Sequence, residues 1–216
     1  MVTTLYLIRH GETVGAEIRR YKGSIDVPLS ENGIRQMEEL SRYLFNMVTN
    51  NSSPEAGKSN SLSAVYSSGL SRARVSAQII AAPYSISPLA VDSLRERNFG
   101  VWEGMSFDEI SERYPKEFDA WAGDPLRFSP MEGESTLEMR DRVIEALDMI
   151  ISRHIGESIA IVAHGGVNRI ILCHLLGSPL ENIFRIEQDY AAFNIVEFWD
   201  RYPVVKLVNG TIFRTQ

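Results

Sequence analysis

Cysteine, long apolar runs and clusters of basic residues are all scarce in this chain of 216 residues. Its single cysteine, Cys173, can form no internal disulfide, which favours a reducing compartment and a buried thiol without chemistry of its own. No apolar run approaches the ~20 residues that span a bilayer, and no basic leader precedes the first predicted strand. We therefore expect a cytoplasmic protein that does not enter a membrane.

The charge and the histidine content exclude further classes of partner. The formal net charge is -6, and no run of Lys and Arg forms the basic stripe that binds a nucleic-acid backbone. Only four histidines accompany the cysteine, and no spacing resembles a zinc or two-metal site. We expect no nucleic acid, no metal and no cofactor. A small phosphate ester is compatible with this charge, because a local group of arginines can make a positive field on a negative protein.

Apolar runs alternate with helical periods along the chain, which is the pattern of a sheet flanked by helices. With 44% hydrophobic residues the chain can bury one sizeable core, so we predict one domain over residues 1–216. Two capping boxes, Ser106 with Glu109 and Ser135 with Glu138, predict helix starts, and a polar loop is expected over 50–61. Strands are predicted over 5–8, 64–66, 89–91, 158–163, 193–199 and 204–208, and further helices over 31–48, 71–82 and 167–176.

A basic residue and a histidine follow the first predicted strand directly, as Arg9 and His10. In open α/β sheets ligands bind at the carboxyl ends of strands, where the loops converge on a crevice. The guanidinium can hold an anion, and a neutral imidazole nitrogen is a nucleophile that can accept a transferred group. Taken alone, an Arg-His pair in this place is equally compatible with an ordinary surface pair.

A second histidine has the same placement. His164 follows the apolar strand 158–163 and precedes Gly165 and Gly166. Glycines allow close approach of the backbone to a ligand, and the helix that they open favours an anion at its N-terminus. We therefore expect His10 and His164 to share one crevice.

The segment Arg9-His10-Gly11-Glu12-Thr13 resembles the signature of the histidine phosphatase superfamily, the phosphoglycerate mutase-like enzymes, whose histidine is phosphorylated and then hydrolysed. The resemblance implies an α/β fold, a three-layer α/β/α structure with a mostly parallel central sheet. Four further segments resemble family motifs in the expected order: Arg20 to Ser30, Ser67 to Ala77, Leu94 to Gly104 and Ile161 to Gly166.

The resemblance assigns catalytic roles within these segments. His10 is the nucleophile toward a phosphomonoester, and adjacent arginines favour its neutral form. Glu96 matches the proton donor, which the chemistry requires because an alkoxide leaves phosphorus slowly unless it is protonated. Glu103, the other carboxylate of that segment, is expected to be structural. The residues expected to stabilise charge on the phosphoryl oxygens are Arg9, Arg72 and His164.

Three residues, Lys22, Gly23 and Gly165, are predicted to bind substrate. Lys22 stands where glutamine is commoner in the family, and its ammonium group would either add charge to the pocket or point into solvent. Residues 15–16 are Gly-Ala where relatives commonly carry Trp-Asn. An asparagine amide that helps hold phosphate is therefore absent, so that other groups must supply part of the anchoring.

Hydrolysis of a small phosphorylated metabolite is the favoured reaction. The stretch 104–135 is short beside the insertion with which mutases enclose a bisphosphate, and it ends in Glu-Gly-Glu-Ser as in phosphatases of the family. Residues 19–29 look closest to the alpha-ribazole phosphatases of cobalamin biosynthesis, which makes alpha-ribazole 5'-phosphate the candidate substrate. The alternatives are a phosphoglycerate mutase and a non-catalytic relative that binds phosphorylated partners. The oligomeric state is open, since the last strands could pair with another subunit or with their own sheet.

Overall fold

The computed structural model describes residues 1–18, 20–50 and 61–212 of the chain. Arg19 and most of the polar loop predicted over 50–61 lie outside these residues. In the described part, strands of one sheet follow the order β3-β2-β4-β1-β5-β6. The strands are β1 (Val2–Arg9), β2 (Ala64–Ser67), β3 (Leu89–Ala90), β4 (Ser158–Ala163), β5 (Phe193–Trp199) and β6 (Tyr202–Gly210). The first four pair in parallel and the last two are antiparallel, which confirms the mostly parallel sheet.

Both capping boxes predicted from the sequence are formed, at Ser106 and at Ser135. The helix after His164 begins at Gly165, two residues earlier than predicted, so that the glycines form its first turn. The helix α4 (Pro115–Gly123) was not predicted: it is short, and its two aromatic residues, Phe118 and Trp121, are only partly buried and pack on Phe107 and on each other. The helices are α1 (Glu31–Asn50), α2 (Ser71–Ala81), α3 (Phe107–Arg113), α4 (Pro115–Gly123), α5 (Thr136–Arg153) and α6 (Gly165–Leu175).

Helices cover both faces of the sheet, because successive side chains of β1 point to opposite faces. Leu5 and Leu7 pack with apolar residues of α5 and α6, whereas Tyr6 and Ile8 pack with those of α1 and α2. Leu7 is fully buried, and its truncation to Ala would cost about 2–5 kcal/mol of stability. These two cores make the three-layer α/β/α structure that the resemblance implied.

Cys173 is buried on α6 as predicted, and burial raises the pKa of its thiol. Among the described helices, none is long and apolar enough to cross a membrane.

The parallel pairing of β1 with β4 brings the two strand-end histidines to one edge of the sheet. Arg9 is in register with Ala163, and the backbone N–H of His10 donates to the carbonyl of Ala163 at 3.1 Å. On its other side β4 pairs with β2, which ends at Ser67. The three strand ends therefore converge, as the carboxyl ends of parallel strands do in open α/β sheets.

Candidate active site

His10 is buried at the floor of a pocket of about 420 Å³. Its Nδ1 lies 2.7 Å from the carbonyl oxygen of Gly11. A carbonyl only accepts hydrogen bonds, so Nδ1 carries the proton and Nε2 keeps its lone pair. Burial lowers the pKa of His10 well below its ordinary value, and the charges of Arg9 and Arg72 lower it further. The ring is therefore neutral and suited to act as a nucleophile through Nε2.

His164 is fully buried beside His10, with the two ring centroids 5.1 Å apart in an edge-to-face arrangement. Its Nε2 lies 2.7 Å from the Oγ of Ser68, the residue that follows β2. Among the described residues no partner reaches its Nδ1, which is buried. Burial and then the neighbouring His10 lower the pKa of His164 well below its ordinary value. His164 supports the floor of the pocket behind His10 and is absent from its lining.

Arg9 lines the pocket next to His10. Its Nη1 donates to the carbonyl of Gln188 at 2.5 Å, and its guanidinium lies 3.9 Å from the centroid of the Tyr190 ring. Tyr190 also lines the pocket, with its ring 5.7 Å from that of His10. A cation over an aromatic face is held by the quadrupole of the ring, which fixes the plane of the guanidinium. The sequence argument missed Tyr190, because it belongs to the loop before β5 and to no motif.

Arg72 lies in the first turn of α2, buried in the pocket wall. Its guanidinium donates to the carbonyls of Ile25, at 2.8 Å, and Gly23, at 2.7 Å, and more weakly to that of Lys22, at 3.2 Å. It therefore holds the loop after the first motif. A guanidinium has five N–H groups, so donors remain for a bound anion.

Glu103 holds the same loop from the other side. Its carboxylate accepts hydrogen bonds from the backbone N–H groups of Gly23, Ser24, Ile25 and Phe99. This is the structural role expected of it. A Cβ at Gly23 would lie 1.7 Å from the carbonyl oxygen of Arg97, so that packing alone requires glycine there. Gly23 does not line the pocket.

Lys22 lines the pocket, and its ammonium group donates to the carbonyls of Gly15, at 2.5 Å, and Val14, at 3.2 Å. Lys22 therefore borders the pocket, and whether its ammonium contacts substrate stays a prediction. The ammonium also ties down the segment in which Gly15 and Ala16 replace the usual Trp-Asn. Gly165, the other predicted contact, lies against the guanidinium of Arg9 and is absent from the pocket lining.

Glu96 faces the same pocket as His10. Its carboxylate accepts hydrogen bonds from the backbone N–H groups of Arg97 and Gly166, both at 3.0 Å. A Cβ at Gly166 would lie 2.4 Å from Oε1 of Glu96. The second glycine after His164 therefore lets the carboxylate approach the first turn of α6, a reason that the sequence did not reveal.

The outer wall of the pocket is aromatic and basic. The arginine after Glu96, Arg97, is half-buried there and donates to the carbonyls of Phe128 and Glu134 and to the hydroxyl of Thr136. Within the described residues, no group of His, Cys, Asp and Glu side chains could hold a metal ion. The aromatic side chains that line this wall are Tyr21, Phe99, Trp102, Trp121 and Phe184.

Comparisons with known proteins agree with this geometry. The model of the histidine phosphatase superfamily (branch 1) matches residues 5–211. Phosphoserine phosphatase 1 of Hydrogenobacter thermophilus is 29% identical over 207 residues, which cover 96% of this chain and 92% of that protein. The adenosylcobalamin/alpha-ribazole phosphatase of Escherichia coli K12 is 24% identical over 206 residues, or 95% of each chain. The solved structure of Bacillus stearothermophilus YhfR matches with a TM-score of 0.81 and 32% identity, covering 98% of both chains.

Proposed function

Because the chain belongs to the histidine phosphatase superfamily (branch 1) and is a phosphatase of it, we propose that it hydrolyses a small phosphorylated metabolite through a phosphohistidine intermediate. The observation that carries this proposal is the setting of His10: the ring is buried, which lowers its pKa, and the Gly11 carbonyl holds it by Nδ1. Its Nε2 is thereby available in a pocket that is also lined by Glu96, Arg9 and Arg72.

In the first step, Nε2 of His10 attacks phosphorus in line as the bond to the ester oxygen breaks. Glu96 gives its proton to that oxygen, so that an alcohol leaves rather than an alkoxide. The positive charge that develops on the imidazole is stabilised through Nδ1–H and the Gly11 carbonyl. Arg9 and Arg72 stabilise the charge on the phosphoryl oxygens.

In the second step, water attacks the phosphohistidine. Glu96, now a carboxylate, takes a proton from the water as the P–N bond breaks, and His10 returns to its neutral form. His164 stands behind His10 and holds its ring in place edge to face. Neither of these two steps requires a metal ion.

The residues that line the outer wall of the pocket indicate the chemical class of the leaving group. The aromatic rings of Tyr21, Phe99 and Trp121 favour a substrate with a flat ring, such as alpha-ribazole 5'-phosphate. A second candidate is phosphoserine, the substrate named for the H. thermophilus relative. It is favoured by the cations Arg97 and Lys22, whose hydrogen bonds go to carbonyls and a hydroxyl and whose charge suits a carboxylate on the leaving group.

A panel of phosphorylated compounds tests this proposal. It includes alpha-ribazole 5'-phosphate, phosphoserine, 3-phosphoglycerate and p-nitrophenyl phosphate, and it is read out by phosphate release and by acid-labile label on the enzyme. We expect release with transient labelling, both lost in His10→Ala. Transfer of label between phosphoglycerates would identify a mutase, and neither release nor labelling would identify a binding protein. A His10→Ala enzyme that hydrolyses esters at the parent rate refutes the mechanism.

A further inference from the structure

Glu96 lies on a segment, 95–99, that belongs to no helix or strand. A segment of this kind has no hydrogen-bond ladder of its own, so its position depends on groups that come from elsewhere. Glu103 accepts the N–H of Phe99 at the end of the segment, and two further side chains hold the part around Glu96. Arg142 is on α5, and Glu134 lies just before that helix.

Arg142 holds the chain at the level of Glu96. Its Nη1 donates to the carbonyls of Ser93 and Arg95, at 2.7 and 2.8 Å, and its Nη2 lies 3.3 Å from the carbonyl of Glu96 itself. The guanidinium therefore fixes three backbone carbonyls between residues 93 and 96. A lysine could not do this, because its ammonium is a single point of charge.

Glu134 holds the segment from the other side, and together with Arg142 it forms what we call the brace. Its carboxylate pairs with Arg142 through two hydrogen bonds, at 2.5 and 2.8 Å, and accepts the backbone N–H of Asn98 at 2.9 Å. A bidentate pair fixes geometry as well as charge. The chain is thus tied down on both sides of Glu96 by one ion pair.

We propose that Arg142 and Glu134 are positioning residues that hold the Glu96 carboxyl group within reach of the ester oxygen. This inference rests on the proposed role of Glu96 as proton donor. Neither side chain lines the pocket of His10; both line a separate cavity of about 380 Å³, and Glu96 lines both cavities. The pair therefore acts through Glu96 and not by contact with substrate.

The proposal predicts a dependence on the leaving group that a merely structural role would not produce. p-Nitrophenolate is a weak base and leaves without a proton, whereas an alkoxide requires the acid. A misplaced Glu96 should therefore slow phosphorylation of the enzyme by an alkyl phosphate far more than by p-nitrophenyl phosphate. Single-turnover rates of alcohol release, with enzyme in excess, isolate this step from the later hydrolysis.

The test compares Arg142→Lys and Glu134→Gln with Glu96→Gln, using p-nitrophenyl phosphate and the alkyl ester that the panel shows to be turned over best. We expect the two brace variants to lose about 10- to 100-fold with the alkyl ester and less than about threefold with the aryl ester. The matched control is Arg140→Ala, on the same helix, because among the described residues Arg140 pairs with the exposed Asp141 alone. It should keep both rates.

Equal losses on both esters, or none, in folded Arg142→Lys and Glu134→Gln enzymes would overturn the proposal. Thermal unfolding checks that the variants are folded. If one does not fold, the other decides, since each removes a different half of the brace. A Glu96→Gln enzyme that itself shows no dependence on the leaving group would instead contradict the proposed function.

Discussion

The ends of β1 and β4 each place a buried histidine at the same edge of the sheet, but they hold the two rings by opposite nitrogens. The Gly11 carbonyl takes Nδ1 of His10, and the Ser68 hydroxyl takes Nε2 of His164. A carbonyl can only accept, so it selects one tautomer of His10; a hydroxyl can donate or accept and selects neither. In the neutral His10 ring the proton is therefore on Nδ1 and the lone pair on Nε2, whereas the hydrogen bond of His164 is compatible with either tautomer.

The largest expected effect comes from exchanging each ring for an amide. His10→Asn removes the nucleophile and should lower kcat by more than about 10⁴-fold, because the covalent route is lost. His164→Asn keeps that route but removes the ring that holds His10 in place, so it should cost about 10²-fold, the scale of a displacement near 1 Å. Steady-state kinetics with p-nitrophenyl phosphate, together with labelling, measure both. Equal losses, or a labelled His10→Asn enzyme, would remove the distinction between the two rings.

A substitution at Gly166, two residues after His164, tests whether the close approach of Glu96 to α6 matters for proton transfer. In Gly166→Ala, the new Cβ would lie 2.4 Å from Oε1 of Glu96, so the carboxylate must move. We expect kcat with an alkyl ester to fall by about 10²-fold, since displacements near 1 Å cost this much. Gly123→Ala is the control, because nothing lies within 4 Å of a Cβ at that position. An unchanged Gly166→Ala rate would show that Glu96 need not sit against α6.

Two adjacent serines offer a smaller and closely matched comparison. Ser68→Ala leaves Nε2 of the buried His164 without its partner and should destabilise the fold by about 1–3 kcal/mol, with roughly tenfold lower kcat. Ser67 is also buried, but no described residue hydrogen-bonds to its Oγ, so Ser67→Ala should be nearly neutral. Urea unfolding and kinetics on both variants measure the difference. Similar behaviour of the two would mean that the hydroxyl does not hold the ring.

The smallest effect is the dependence of stability on pH. Both rings have a pKa well below the ordinary value when folded, so between that lowered pKa and about 6.5 the unfolded chain binds more protons. The free energy of unfolding should therefore be highest above about pH 6.5. It should fall as the pH is lowered below this value, by at most about 1.4 kcal/mol per pH unit for each histidine. Urea titrations between pH 7.5 and 5 test the slope, which His10→Asn should reduce. A slope that is the same in the variant would contradict a neutral buried His10.

Much of the fold follows from local patterns. Residues 159–163 form a continuous apolar run because helices cover the strand on both faces. The capping boxes at Ser106 and Ser135 mark helix starts through contacts three residues apart. Helix α4 escaped prediction because it is short, and two aromatic residues three positions apart, Phe118 and Trp121, are too brief a pattern to indicate a helix.

Only the site residues that lie within the family-like motifs could be predicted from the sequence. His10, Arg9, Arg72, Glu96 and Lys22 do line one pocket, although their roles in the reaction stay predictions. Ser68 had a weak signal, since it follows a predicted strand as the two histidines do. Arg142 had no sequence signal of its role, because nothing in the residues around it on α5 distinguishes it from the exposed Arg140.

The sequence by itself determined which residue types stand at the strand ends, since alternation of apolar runs and helical periods is a short-range property of the chain. Only the tertiary structure decided which nitrogen of each histidine is held and what braces Glu96. Those hydrogen bonds join residues as far apart as Ser68 and His164, 96 positions along the chain. Their existence depends on the order of the strands and the packing of α5, which no local pattern encodes.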